Sequence, residues 1–222
     1  MSGNPVRAAD SAGRTDGPRP ARLASYALSE EDVYRLAERG RLHAVLDAAD
    51  APEVLEVIVA DGVTTIELFS PDADPLLGFM APYLVPLDEV LLARLRETVW
   101  RSEWGLLIEA EVPSAVLKQH LRRFLLVEHP DGKTVYFRMY DPRVLRRFLP
   151  NCTGAELAAL FGSITAYIVP DGIAGARFTR YALEAGDFDG LASNSAVSRS
   201  ADQLAPRFTL RAAHLGGFGP VQ

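Results

Sequence analysis

The sequence predicts an α/β protein: a mixed β-sheet with helices on both faces, a β-hairpin, and a small, partly ordered C-terminal extension. Two observations predict it. Amphipathic helical stretches alternate with short apolar runs rich in β-formers from about residue 29 to residue 170. And 222 residues, 48% hydrophobic and 23% charged, suffice for one large domain that buries a core without disulfides or metal.

Residues 1–23 are rich in Gly, Pro, Ala, Arg and Asp, show no apolar period, and read as a disordered arm. The α/β domain is expected over 24–170. Ser29-Glu30-Glu31-Asp32 has the form of a capping box, with Val33, Leu36 and Ala37 on one helical face and Gly40 as the stop. Residues 42–46 form a short apolar strand. Asp50-Ala51-Pro52-Glu53 opens a second helix with an acidic cap, burying Val54, Val57 and Ile58. Residues 65–69 form a strand, 70–82 a loop, and 83–87 an extended segment, since Val85 precedes a proline.

Asp88 caps a helix with Leu91, Leu92, Leu95 and Val99 as its stripe, followed by a strand at 105–110. Residues 114–125 are an amphipathic helix with Leu117, Leu121 and Phe124 in register. Asp131-Gly132 between two β-rich runs, 124–128 and 133–140, signals a hairpin. Strand alternation would put Val135, Phe137 and Met139 on one face and Tyr136, Arg138 and Tyr140 on the other. Asp141-Pro142 then starts a helix burying Val144, Leu145, Phe148 and Leu149. Thr153-Gly154-Ala155-Glu156 is a second capping box, and 164–169 a further strand. Residues 171–222 are rich in Gly, Ala, Ser and Asn, with β-like runs at 177–183 and 207–212, and read as the extension.

The formal charge of −6 is unevenly spread: +2 over residues 1–23, −12 over 24–117, +5 over 118–147 and −1 beyond. An acidic half followed by a short basic block predicts a polarised surface. No apolar stretch reaches the length of a membrane span, and the first 22 residues carry no secretory h-region. Cys152 is the single cysteine. No internal disulfide can form, and a reducing, cytoplasmic location is expected.

Most enzyme signatures are absent: no glycine-rich phosphate loop, no Gly-x-Ser-x-Gly elbow, no His-Glu-x-x-His helix. His43, His120, His129 and His214 are scattered without a second ligand at metal spacing, so neither metal nor cofactor is expected. Acid pairs such as Asp47 with Asp50, or Glu109 with Glu111, are able to do acid–base work or bind a cation, but Asp50 already has a capping explanation and solvated carboxylates are the better reading of the rest.

The basic block is the strongest electrostatic feature. Arg122, Arg123, Lys133, Arg138, Arg143, Arg146 and Arg147, interleaved with Tyr136 and Tyr140, fit three readings: a nucleic-acid track, a protein docking face, or solvated helix faces with an internal ion pair. Within it, Arg138-Met139-Tyr140-Asp141-Pro142-Arg143 stands out. A cation in a helix's first turn, as at Arg143, opposes the helix dipole and needs compensation from an acid such as Asp141 or from a partner. The corner is therefore either a recognition edge or an internal arginine–aspartate lock.

Seven segments, in order, carry a resemblance to a known family: HAVLDAA at 43–49, ELF at 67–69, PYLVPL at 82–87, WGLLI at 104–108, LKQHLRRFLLV at 117–127, FRMYDPRVLRRFLP at 137–150 and LAALFGSI at 157–164. Over about residues 26–169 the chain resembles the type VI secretion adaptor family, the effector chaperones also called Tap or TEC proteins. Ser163 stands where that family has proline after Phe-Gly, and Ala110 or Glu111 where a serine is common. The resemblance implies a non-catalytic adaptor without cofactor that binds a toxic effector, often near the effector's N-terminal region. It further implies delivery to the VgrG spike trimer, the adaptor itself staying behind. The family motif falls on Trp104, Gly105, His120, Leu121, Arg122, Phe137, Arg138, Tyr140, Asp141, Pro142 and Arg143. The expected partner-binding residues are Arg122, Arg138, Tyr140, Asp141 and Arg143, with Trp104, Phe137 and Pro142 in the core. Two other functions stay open at this point: a nucleic-acid-binding module using 118–147, and a small hydrolase using acids near Asp47 and Glu109.

Overall fold

The computed structural model describes residues 20–60, 62–69, 82–100, 102–171, 177–184 and 209–211. Most of the N-terminal arm, the 70–81 loop and most of the C-terminal extension lie outside them. In chain order the described elements are β1 (Leu23–Ser29), α1 (Glu30–Glu38), β2 (Leu42–Asp47), α2 (Glu53–Ala60), β3 (Ile66–Glu67), β4 (Pro82–Leu87), α3 (Glu89–Thr98) and β5 (Gly105–Ala110). They continue with α4 (Ser114–Arg122), β6 (Leu126–Glu128), β7 (Thr134–Tyr136), α5 (Pro142–Phe148), a 3-10 turn (Leu149–Asn151), α6 (Gly154–Phe161), β8 (Ile164–Pro170) and β9 (Arg177–Leu183).

Seven strands form one sheet in the order β1-β9-β8-β5-β2-β4-β3, antiparallel at each described pairing, and β6 with β7 forms a separate hairpin. The α/β class and the helical cover on both faces stand. Period-two alternation sorts the side chains. Leu42, Ala44 and Leu46 of β2 point to one face, and Val45 to the other. The first face packs against Val33 and Ala37 of α1, Val54, Val57 and Ile58 of α2, and Leu91, Leu92 and Leu95 of α3. The second packs against Leu117 and Leu121 of α4, Leu145 and Phe148 of α5, Leu157, Leu160 and Phe161 of α6, and the hairpin's Val127. Each fully buried Leu or Phe on either side contributes about 1.5–3 kcal/mol. The first three helices thus cover one face of the sheet and the last three the other.

The caps follow the sequence. Ser29 and Asp32 form a reciprocal capping box, as do Thr153 and Glu156. The Asp88 carboxylate accepts the Leu91 N–H at 2.8 Å, and Pro142 takes the first helical position behind Asp141. The second helix opens near its expected place, but the Asp50 carboxylate turns to two arginines described below. Gly132 closes the hairpin turn with φ +83°. Gly105 opens β5 at φ +133°, where an added Cβ would lie 1.9 Å from the Val45 carbonyl oxygen, so only glycine fits between β5 and β2.

Residues 177–183, read from sequence as part of an extension, sit inside the sheet as β9 between β1 and β8. β1 was not legible as a strand. Farther along, Leu210 is buried in the second core, its N–H donating to the Glu128 carbonyl at 2.8 Å. Arg211 pairs with Glu156 at 2.6 Å, which fastens this stretch to α6. Among the described residues no helix is long and apolar enough to cross a membrane.

Candidate functional site

The corner between the hairpin and α5 lies against the end of β2. The second hairpin strand ends at Tyr136, four residues earlier than its β-rich composition suggests. The chain then turns tightly, with the Met139 N–H donating to the Phe137 carbonyl at 2.9 Å and the Asp141 N–H to that of Arg138 at 3.0 Å. That turn breaks strand alternation. Phe137, Met139 and Tyr140 all enter the second core, and Arg138 does not share an exposed sheet face with Tyr140.

Arg138 instead reaches across to Asp47, the last residue of β2. It donates to the Asp47 carboxylate and sits 3.2 Å from Asp50. The Asp47 side chain has no solvent exposure. Its second oxygen accepts the Ala49 N–H at 3.1 Å. Arg143 forks onto Asp141, with Nε 3.0 Å from Oδ1 and Nη2 2.7 Å from Oδ2, and also donates to Asp50. The Arg143 backbone N–H donates to Asp141 Oδ1 at 2.8 Å, which is the helix cap. Two arginines and three aspartates from two chain segments, 47–50 and 138–143, thus form one network. Asp50 joins its halves, and the planar guanidinium forks suit such shared carboxylates.

Burial and charge oppose each other here. Burial pushes the Asp47 carboxyl up, against the pull of Arg138 and the Ala49 N–H. Burial would also raise Asp141, but the hydrogen bonds and charge of Arg143 outweigh it and hold Asp141 below the usual carboxylate range. Burial works against the Arg138 charge as well, yet Asp47 and Asp50 carry its pKa above the ordinary guanidinium value. The Arg138 guanidinium lies 5.9 Å from the centre of the Tyr140 ring, and burial raises the Tyr140 hydroxyl. Arg138 Nε is buried without a hydrogen-bond acceptor among the described residues.

Four of the five residues singled out from sequence therefore meet in one place. Tyr140 and Asp141 are buried there, while the Arg138 and Arg143 side chains keep 37% and 51% of their surface exposed. Arg122 takes no part in the network. It lies at the end of α4 with Lys118 one turn before it and Arg123 beside it, and none of the three has an acidic partner among the described residues. Elsewhere in the basic block, Arg146 donates to the Pro170 carbonyl and Tyr136 stays 56% exposed against Phe69. Sequence reasoning missed Asp47 and Asp50 as arginine partners. The available signal was an acid closing a largely apolar strand, a position at which a carboxylate needs a cation.

The other candidates resolve into structure. Glu109 pairs with Arg180 at 2.8 Å and Glu111 with Arg41 at 2.7 Å, so the two acids diverge. His120 is buried, donating from Nε2 to the Leu160 carbonyl at 2.7 Å, with Gly162 packed against its ring. Trp104 is fully buried and stacks on Trp100. Burial pushes the Cys152 thiol up to about 12, far from a reactive thiolate. Among the described residues no group of three or more His, Cys, Asp or Glu side chains is placed to hold a metal ion. His214 lies outside the described residues.

A family model described as Domain of unknown function (DUF4123) matches residues 42–159, more than half of the chain. The match runs from the first residue of β2 into α6 and contains the whole arginine–aspartate network. No curated protein and no solved structure matches the chain.

Proposed function

This chain belongs to the DUF4123 family, and from that premise we propose that it is a non-catalytic adaptor chaperone of type VI secretion, which binds a cognate toxic effector and loads it onto the VgrG spike. The family is associated with type VI secretion adaptors. The observation that carries the reading is the distribution of charge over the two helical layers. α1 to α3 bear eight acidic against three basic side chains; α4 to α6 bear five basic against one acidic. A sheet with an acidic layer on one face and a basic layer on the other offers two distinct surfaces to two partners, as a loading adaptor requires.

On the basic layer, Lys118, Arg122 and Arg123 have no acidic partner among the described residues and are open to another chain, flanked by Val116, which is 44% exposed. The half-exposed guanidiniums of Arg138 and Arg143 border the same layer, and the aspartates hold their planes in place for contact. On the acidic layer, a shallow groove between α1 and α3 presents Tyr34, Val90 and Ala93 between Glu89 and Glu97. Ionisable groups that converge are spent on one another at the corner, which supports holding over bond-making. Nucleic acid is the weaker reading: three of the arginines invoked for it are occupied within the fold, and the net charge is −6.

Co-expression with the products of neighbouring genes, followed by affinity capture and gel filtration, tests the proposal. The expected result is a stoichiometric complex with one neighbour that persists through gel filtration. Capture of none of them, together with a gel shift of DNA or RNA at low salt, contradicts it.

A further inference from the structure

Among the described residues the outer edge of the sheet at β1 has no partner strand. Among the described residues β1 pairs only with β9, from Leu23↔Leu183 to Ser29↔Arg177. The Glu184 N–H donates to the Arg22 carbonyl at 3.0 Å. In an antiparallel ladder, residues that exchange hydrogen bonds alternate with residues that do not. Arg22, Ala24, Tyr26 and Leu28 therefore direct their backbone groups to β9, and Leu23, Ser25, Ala27 and Ser29 direct theirs outward. The Ser29 N–H is taken by Asp32 at 2.9 Å, which agrees with this parity.

Natural sheets guard such an edge with charge, proline or a bulge. β1, Leu-Ala-Ser-Tyr-Ala-Leu-Ser, has none of these. Ser25, Tyr26 and Ala27 are exposed, although they point to alternate faces of the sheet, so neither helical layer covers the middle of the strand. Tyr26 is 54% exposed.

We propose that β1 pairs with β1 of a second copy of this chain, antiparallel about a two-fold axis through Tyr26. Three features favour a copy of the same strand over another occupant. Centring on Tyr26 sets all seven residues opposite one another, although the Ser29 N–H stays with Asp32. Ser25 and Ala27 then exchange hydrogen bonds with Ala27 and Ser25 of the partner subunit, and Leu23 meets Ser29 of the partner subunit, in keeping with the outward parity. Tyr26 falls at the non-hydrogen-bonded site, where opposed side chains approach most closely and two aromatic rings gain from contact. Charge also matches at both ends. Exposed Arg22 precedes the strand and Glu30, Glu31 and Asp32 follow it; within the same chain Arg96 pairs with Glu30 and Arg35 with Glu31 and Asp32, which leaves three acids against two arginines, and the two-fold sets each Arg22 opposite this acidic turn of the partner subunit. The axis stands perpendicular to the sheet. It therefore places the two acidic layers side by side on one face and the two basic layers on the other. This inference does not rest on the adaptor reading.

Sedimentation of the full chain over a wide concentration range tests it, beside Tyr26→Lys and Tyr26→Glu variants and their equimolar mixture. The expected wild-type species has twice the 24.2 kDa mass of one chain, each variant alone falls to the single-chain mass, and the mixture regains the doubled mass. A wild type that stays at the single-chain mass, variants that remain dimeric, or a mixture that remains monomeric overturns the proposal. Should the variants fail to fold, amide exchange on the wild type decides. Slower exchange at Ser25 and Ala27 at high than at low concentration supports the pairing, and concentration-independent exchange overturns it.

Discussion

Arg138 and Asp47 stand 91 residues apart in sequence and share an ion pair at the point where the hairpin corner meets the end of β2. The carboxylate is wholly buried and the guanidinium is about one-third exposed. Removing the arginine strands a buried charge, a change that costs about 3–5 kcal/mol at a fully buried pair. Solvent access at Arg138 lowers the expectation, and Arg138→Ala should destabilise by about 2–3 kcal/mol in urea unfolding. Arg138→Lys should recover less than half, since an ammonium cannot serve Asp47 and Asp50 with one rigid fork. A loss under about 0.5 kcal/mol, the size of an ordinary surface substitution, would show that the pair does not lock the corner.

Gly105 and Gly132 both have positive φ, yet they should respond differently to alanine. At Gly105 the new methyl would collide with the Val45 carbonyl between two central strands. Gly105→Ala should cost more than about 4 kcal/mol or abolish soluble expression. At Gly132 nothing lies within 4 Å, and only the left-handed backbone penalty of about 1–2 kcal/mol remains. Denaturant midpoints of the two variants give the comparison, and equal losses would contradict the packing at β5.

Stability should fall at mildly acidic pH because of the buried histidines. Burial lowers His120, aided by Arg123, and burial lowers His43. A folded pKa below the unfolded value of about 6.5 means that the unfolded chain takes up the proton first. Stability from these groups is complete above about pH 6.5 and is lost as pH falls toward the folded pKa, by up to about 1.4 kcal/mol per pH unit for each histidine. Asp141, held below the usual carboxylate range, adds a second loss only as pH falls through that range. Urea unfolding between pH 7 and 5 should show the first slope, and His120→Gln should flatten it. A slope unchanged by that substitution would remove His120 as its source.

Reversing Lys118, Arg122 and Arg123 to glutamate should leave the melting temperature within a few degrees of wild type, because none of the three is ion-paired among the described residues. Capture of the co-expressed partner should fall at least tenfold, and wild-type capture should weaken with added salt. Salt-insensitive capture, unchanged by the triple reversal, would place the docking surface elsewhere.

Local signals were legible in the sequence and distant ones were not. Ser29 with Asp32, Thr153 with Glu156, Asp88 and Asp141-Pro142 announced four helix starts, because a cap depends on residues within one turn. The β1 strand was hidden, since Ser25, Tyr26 and Ala27 are all exposed and leave no apolar alternation to read. Strand order was hidden too: β2 lies between β4 and β5, and β9 between β1 and β8, choices set by tertiary packing. Asp50 carried a plausible capping reading from its neighbours. Its use by Arg143, 93 residues away, follows only from the fold. The segregation of charge along the chain was plain, but its separation onto opposite faces needed the helix placement.

The central claim is that this molecule holds a protein and leaves its covalent structure alone. Intact-mass spectrometry of the captured neighbour, before and after prolonged incubation with the purified chain, paired with the mass of the complex in solution, tests it most directly. The account predicts a complex of fixed stoichiometry and a partner of unchanged mass. A partner released with an altered covalent mass, or no complex with any neighbouring product, would contradict it.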